Sequence, residues 1–169
     1  MMDGRLETID NRAALRFVRR LDHSVERVWR AVSEPAELER WFVAPVEWTP
    51  AVGETFVAMD EHAEVTEVDP PRSLEWLWGG ERLRFELRPV GDGCELTFLH
   101  VFDDRALGAQ HGSGWDHHFQ KLDAHLEGRE LSDEELMAAL PELHEEYARR
   151  FGLSPEPGRA ALREYHGIG

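Results

Sequence analysis

The spacing of apolar residues in the first quarter of the chain predicts one strand and two short helices. Apolar and polar residues alternate over 11–21, which is the period of a strand with one buried face. Ser24 then stands where a helix N-cap is expected, and the apolar residues of 25–33 recur at helical spacing. Pro35 opens a second helical segment at 36–42.

A series of short strand-like segments, each ending in turn residues, fills the middle of the chain. The clearest is 81–88, where Leu83, Phe85 and Leu87 alternate with charged residues. Short connections between consecutive strands favour an antiparallel meander. Residues 1–11 precede the first strand and are expected to be irregular. The predicted strands of the meander are 45–48, 54–59, 61–68, 74–78, 81–88 and 94–102.

A long helix is predicted after the glycine-rich segment 112–114. The apolar residues of 115–128 fall at helical spacing, and the last residue, Gly128, is of the type that commonly caps a helix C-terminus. Strands and the long helix are segregated along the chain, which is typical of an α+β fold. We expect a curved antiparallel sheet that grips this helix.

Residues 129–169 form a separate helical tail. Ser132 and Glu135 have the spacing of a capping box, and Pro141 is expected to kink or divide the helix that follows. The apolar stripe of 131–151 has to be buried, either on the rest of the chain or on a second copy of it.

Composition and charge narrow the class of protein. A chain of 169 residues with 41% hydrophobic residues suits one folded domain. A net charge of −15 disfavours nucleic acid and anionic membranes as partners. Cys94 is the only cysteine, no apolar stretch approaches the ~18 residues of a membrane span, and 1–12 lacks the apolar segment of a signal peptide. We therefore expect a cytoplasmic protein.

Four motifs, in order along the chain, resemble a known family. The first motif is a helix, a Glu-Pro step and a second helix that ends in Trp-Phe. The second is a pair of strands on either side of a double proline. The third is a hairpin that ends in His, and the fourth is a closing helix after Gly-Trp. Together they resemble the SRPBCC (START-like) superfamily, and within it the activator of heat-shock protein 90 ATPase homologue family. The motifs are SVERVWRAVSEPAELERWF, VTEVDPPRSLEWLW, PVGDGCELTFLHVF and GWDHHFQKLDAHLEG.

The resemblance implies a helix-grip fold, in which the sheet wraps around the closing helix with a cavity between them. It assigns 12–128 to the START-like domain and leaves 129–169 as a helical extension. Members of this superfamily include carriers of hydrophobic ligands, cyclases and a cochaperone domain, so the resemblance leaves the function open.

Histidines are concentrated between the last strand and the long helix. His100 alternates with inward-facing residues of its strand, and Trp115 and His118 share a face of the helix, so all three are expected to converge on the cavity. They could form a proton-transfer pair or a metal site, or serve as a polar lining that orients a ligand. Because no metal-binding motif supports the former, we favour the lining and assign no catalytic residue, metal or cofactor. Asp116 and His117 are expected to face solvent.

Aromatic residues on the inward faces could line a ligand pocket or fill a solid core. We take ten residues as the predicted ligand-binding set and expect only part of the aromatics to touch a cavity. The set is Trp41, Phe56, Trp76, Trp78, Phe85, Phe98, His100, Trp115, His118 and Leu122.

The sequence favours a protein that binds a small apolar or aromatic molecule. A cochaperone-like module, with a protein partner or self-association through 131–151, is the alternative. An enzyme of the cyclase or hydrolase type that uses His100 or His118 as a general base is a third hypothesis.

Overall fold

The computed structural model describes residues 3–166, with side chains to residue 164. Within this part of the chain, seven strands form an antiparallel sheet in the order β1-β2-β7-β6-β5-β4-β3. The strands are β1 Gly4–Ile9, β2 Arg12–Leu21, β3 Thr55–Ala58, β4 Glu61–Asp69, β5 Ser73–Trp78, β6 Glu81–Val90 and β7 Gly93–Phe102. The helices are α1 Val25–Ser33, α2 Pro35–Trp41, α3 Gly108–Leu126, α4 Asp133–Phe151 and α5 Glu156–His166, with a 3-10 turn at Arg105–Leu107 before α3.

The first strand, β1, was not predicted, because residues 1–11 were expected to be irregular. It pairs with β2 across a tight turn in which Asp10 and Asn11 both have positive φ. Asp and Asn tolerate this backbone better than other non-glycine residues, and two such residues make the usual two-residue hairpin turn. The Asp-Asn pair between two short segments was therefore the signal for this hairpin.

The segment 45–48 was predicted as a strand and is irregular. Val46 and Trp48 are nevertheless buried, and the Trp48 indole N–H donates to the Ser33 carbonyl at 2.8 Å. The apolar alternation here reflects packing of an irregular segment on the core, which a period-two pattern cannot distinguish from a strand.

The concave side of the sheet and one side of α3 enclose an aromatic core. Phe85 and Phe98 from the sheet meet Phe119 of α3 and Trp41 of α2, and all four are at most 1% exposed. Their rings lie 4.9–6.2 Å apart, mostly tilted or edge to face, which aromatic pairs prefer. The predicted α+β architecture, a curved antiparallel sheet around a long helix, is confirmed.

The long helix begins seven residues earlier than predicted, at Gly108 rather than Trp115. Its 19 residues span about 28 Å. Two glycines near its start, Gly108 and Gly112, permit close packing. A Cβ at Gly112 would lie 3.0 Å from the Tyr147 ring, and one at Gly108 would lie 3.2 Å from Leu153, so both positions let the tail approach α3.

The tail folds back on the domain as two helices. Ser132 caps α4 as predicted, with its hydroxyl accepting from the Glu135 N–H. The expected division at Pro141 is wrong, because α4 continues through it as one helix. Its stripe packs along α3, and such packing favours a continuous helix although proline donates no hydrogen bond.

Asp116 and His117, expected in solvent, are covered by this packing and are 2% and 8% exposed. The Tyr147 hydroxyl donates to Asp116 at 2.7 Å and accepts from the Gly4 N–H at 3.2 Å. Burial raises the pKa of Asp116, an effect that its hydrogen bonds only partly offset. The two residues point away from the sheet, as the helical spacing required, but the tail rather than water lies on that side.

Among residues 3–166, the helices lack the combination of length and apolar character needed to cross a lipid bilayer.

Candidate functional site

A cleft of about 730 Å³ opens at the N-terminal end of α3. One wall is the tip of the β5–β6 hairpin, a second is the first turns of α3, and a third is the tail. The apolar lining residues are Val43, Met59, Trp78, Leu107, Trp115, Leu140 and Leu162. The polar lining residues are Glu61, Glu81, His100, Gln110, His111, Ser113 and His118, and Gly79 and Gly114 complete the surface.

A chain of hydrogen bonds crosses the floor of the cleft from Glu81 through His100 to Trp115. The Trp115 indole N–H donates to His100 Nδ1 at 3.0 Å, and His100 Nε2 lies 2.6 Å from a Glu81 carboxylate oxygen. Because an indole N–H can only donate, Nδ1 accepts, and the proton of the ring sits on Nε2, where it is donated to Glu81. Both ring nitrogens of His100 are therefore occupied.

The hydrogen bond from His100 helps to keep Glu81 ionised. Burial by itself raises the pKa of the carboxyl group, but the hydrogen bond from His100 and the nearby His100, His111 and Arg12 outweigh it, so the pKa is lowered. Glu81 is thus ionised at neutral pH, with one carboxylate oxygen on His100 and its side chain 37% exposed at the edge of the cleft.

His118 also lies on α3, one helical turn after Trp115. Its Nδ1 lies 3.0 Å from the Trp41 carbonyl oxygen and donates to it. Its Nε2 therefore carries a lone pair, and no described residue donates to that atom. Burial, with a smaller contribution from His117, lowers the pKa of His118 to about 4, so the ring is uncharged at neutral pH.

His111 lies beside His100 at the start of α3, with ring centroids 4.9 Å apart, and its edge also meets Phe102. Burial, helped by the neighbouring His100, lowers the pKa of His111 to about 4. The cleft therefore presents two uncharged imidazoles at neutral pH. Within residues 3–166, no group of three His, Cys, Asp or Glu side chains is arranged to hold a metal ion.

Four of the ten residues predicted to bind a ligand line the cleft together: Trp78, His100, Trp115 and His118. The other six lie in the packed core and do not line the cleft. These six are Trp41, Phe56, Trp76, Phe85, Phe98 and Leu122, each between 0% and 8% exposed.

The sequence contained a signal for Glu81 that was not used. Glu81 precedes Leu83 and Phe85 in the same alternation, so the strand that turns those residues inward also turns Glu81 inward. Leu140 and Leu162 carried no such signal, because their position depends on how the tail folds back onto α3.

Comparisons with known proteins agree with this architecture. The sequence model of the family described as Activator of Hsp90 ATPase homolog 1-like protein matches residues 22–127. No curated protein matches the chain. The family resemblance drawn from the four motifs is therefore confirmed.

Solved structures with the same fold come from several bacteria. CalU16 from Micromonospora echinospora is 23% identical, over 86% of this chain and 94% of that chain, with a TM-score of 0.70. MLL2253 from Mesorhizobium loti is 26% identical, over 70% and 99%, with a TM-score of 0.62. The Aha1 dimer from Colwellia psychrerythraea is 19% identical, over 67% and 95%, with a TM-score of 0.58.

Proposed function

The chain belongs to the activator of Hsp90 ATPase homolog 1-like family, and we propose that it is a binding protein that holds a small apolar or aromatic molecule in the cleft at the start of α3. The observation that carries this proposal is the lining of the cleft. Its volume of about 730 Å³ lies in the range of small-molecule sites, and its walls join apolar side chains to a few fixed polar groups.

The fixed polar groups support the proposal. The Trp115 indole is hydrogen-bonded to His100, and the Trp78 indole donates to the Ala58 carbonyl at 3.0 Å. These rings are therefore positioned before any ligand binds. A site whose side chains are already ordered loses less conformational entropy on binding. Met59, at 62% exposed, offers an adaptable apolar surface at the rim.

Gly114 provides a direct test, because it lines the cleft and a Cβ built there has no atom within 4 Å. Gly114→Ala and Gly114→Leu both improve helix propensity, but only leucine fills the space. Naphthalenemethanol is the probe, and the readouts are isothermal titration calorimetry and the melting temperature.

We expect the wild type and Gly114→Ala to bind the probe and to melt at a higher temperature in its presence, since a ligand that binds the folded state stabilises it. We expect Gly114→Leu to remain folded and to lose the binding. Equal binding by Gly114→Leu would contradict a site in the cleft, and binding by none of the three proteins would contradict the proposed function.

A protein interaction of the kind named in the family description is the second candidate. Family membership and the net charge of −15, which suits a basic partner surface, favour it. Against docking through 131–151, Leu136, Leu140 and Tyr147 of that segment are buried on the chain's own domain. Deleting residues 131–169 and measuring sedimentation velocity alone and with a candidate chaperone tests this alternative.

A further inference from the structure

The hydrogen-bonding groups of the cleft divide into those already used and those still open. His100, Trp115 and the Trp78 indole use their nitrogens within the protein. Two acceptors of the cleft are open, His118 Nε2 and the second carboxylate oxygen of Glu81. The Gln110 amide and the His111 ring also line the cleft and can both donate and accept. The two open acceptors suit a ligand that donates hydrogen bonds.

The charges of the lining have one sign. His111 and His118 are uncharged at neutral pH, while Glu61 and Glu81 are carboxylates, and no described lining residue is Lys or Arg. Arg12 also lowers the pKa of Glu81, but its guanidinium donates to Asp103 at 2.7 Å and to the Gly80 carbonyl at 3.1 Å. An anionic ligand would meet uncompensated negative charge here.

An aromatic face lies beside the open carboxylate. Trp78 and Glu81 pair directly across the β5–β6 hairpin, so a cation held by Glu81 is within reach of the Trp78 ring. Glu81 is partly exposed, which reduces the cost of removing water from a bound cation.

We propose that the cleft selects amine ligands. The protonated nitrogen of the ligand pairs with Glu81 beside Trp78, and its apolar or aromatic body fills the space beside Gly114. This inference rests on the proposed function and adds the chemical class of the ligand. His118 Nε2 accepts a further donor of the ligand.

The test compares three probes that share one ring system: naphthylmethylamine, naphthalenemethanol and naphthoate, each titrated by calorimetry at pH 7 and low salt. We expect the amine to bind about tenfold more tightly than the alcohol, equivalent to about 1.4 kcal/mol, and naphthoate to bind least. We expect added salt to narrow the gap between amine and alcohol.

Two variants, each of which removes one negative charge, test whether Glu81 is the source of the preference for the amine. Glu81→Gln keeps an acceptor for His100 but loses the charge, whereas the matched control Glu86→Gln removes an exposed carboxylate from the same strand, outside the cleft. We expect Glu81→Gln to remove most of the preference for the amine while leaving the alcohol within about twofold, and Glu86→Gln to leave both unchanged.

The outcomes separate this inference from the proposed function. If the alcohol binds but the amine binds no better, or if Glu86→Gln weakens the amine as much as Glu81→Gln does, the selection of amines is wrong and the binding site stands. If none of the three probes binds, both proposals fail.

Discussion

The two ends of α3 lie on the same sheet, but one end is tightly packed and the other borders an open cleft. Toward its C-terminal end, Phe119 and Leu122 are at most 1% exposed and fill the hollow of the sheet together with Trp41 and Phe98. Toward its N-terminal end, the helix presents Gly114, His111 and His118 to a cleft of about 730 Å³.

Missing side-chain volume on α3 contributes to this difference. The packed end uses large aromatic residues, whereas the open end has a glycine with nothing within 4 Å of its Cβ position. Leu140 and Leu162 of the tail cover the open end and give the cleft an apolar wall. Both residues lie beyond the segment that the family model matches.

Phe98→Ala should disrupt the packing at the packed end and cause the largest loss of stability. Phe98 is fully buried, with ring centroids of Phe85, Trp115 and Phe119 within 5.2 Å, so its loss leaves a cavity among rigid rings. We expect a loss of about 3–5 kcal/mol in the free energy of unfolding, measured by urea denaturation. A loss below about 1 kcal/mol would show that this end is loosely packed.

Tyr147→Phe should loosen the tail while preserving the ring that packs between the helices. Without the hydroxyl, Asp116 loses a buried donor and the Gly4 N–H loses its acceptor. We expect a loss of about 2 kcal/mol in the free energy of unfolding, because a buried carboxyl group and a buried N–H each lose one hydrogen bond. An unchanged midpoint in urea would mean that this hydrogen bond does not hold the tail.

The open end should respond to acid through His118. Its pKa is lowered to about 4 from an ordinary value near 6.5, so between these values the unfolded chain binds a proton that the folded chain does not. Stability is therefore full above about pH 6.5 and is lost progressively as the pH falls toward 4.

His118→Gln removes this contribution and leaves the other titrating groups in place. We expect the loss of unfolding free energy between pH 7 and pH 4 to be smaller in the variant, by on the order of 3 kcal/mol. Parallel pH profiles for the two proteins would contradict the burial of this ring.

Gly114→Ala should give the smallest change, with the opposite sign. The added methyl group points into the cleft without a clash, and alanine has a higher helix propensity than glycine. We expect stability to rise by about 0.5–1 kcal/mol in thermal and urea denaturation. A destabilised variant would show that the space beside Gly114 is filled.

Local patterns predicted the fold better than they predicted the site. Alternation in β6 and β7 and the Ser24 cap are local, and the elements that they predicted are confirmed. Inward-facing residues such as Trp76 and His100 were correctly turned toward the helix, yet alternation gives the face of a residue and not whether space remains beside it. That space depends on long-range contacts.

The tail illustrates the same limit. Its helices were readable from the spacing of apolar residues, but the partner of its stripe was not, and so Asp116 was expected in solvent. The segment 112–114 was placed before the helix rather than in it, because the use of Gly112, the close approach of Tyr147, depends on a residue far along the chain.

The six tryptophans allow the most direct test, because their indole N–H signals report the packed end, the cleft and helix α1 separately. In a ¹⁵N-labelled sample titrated with naphthalenemethanol, we expect the indole signals of Trp78 and Trp115 to shift and saturate together. Those of Trp41 and Trp76 in the core and of Trp29 on α1 should remain in place. Equal shifts in the core indoles, or no shift at Trp78 and Trp115, would contradict a ligand site in the cleft.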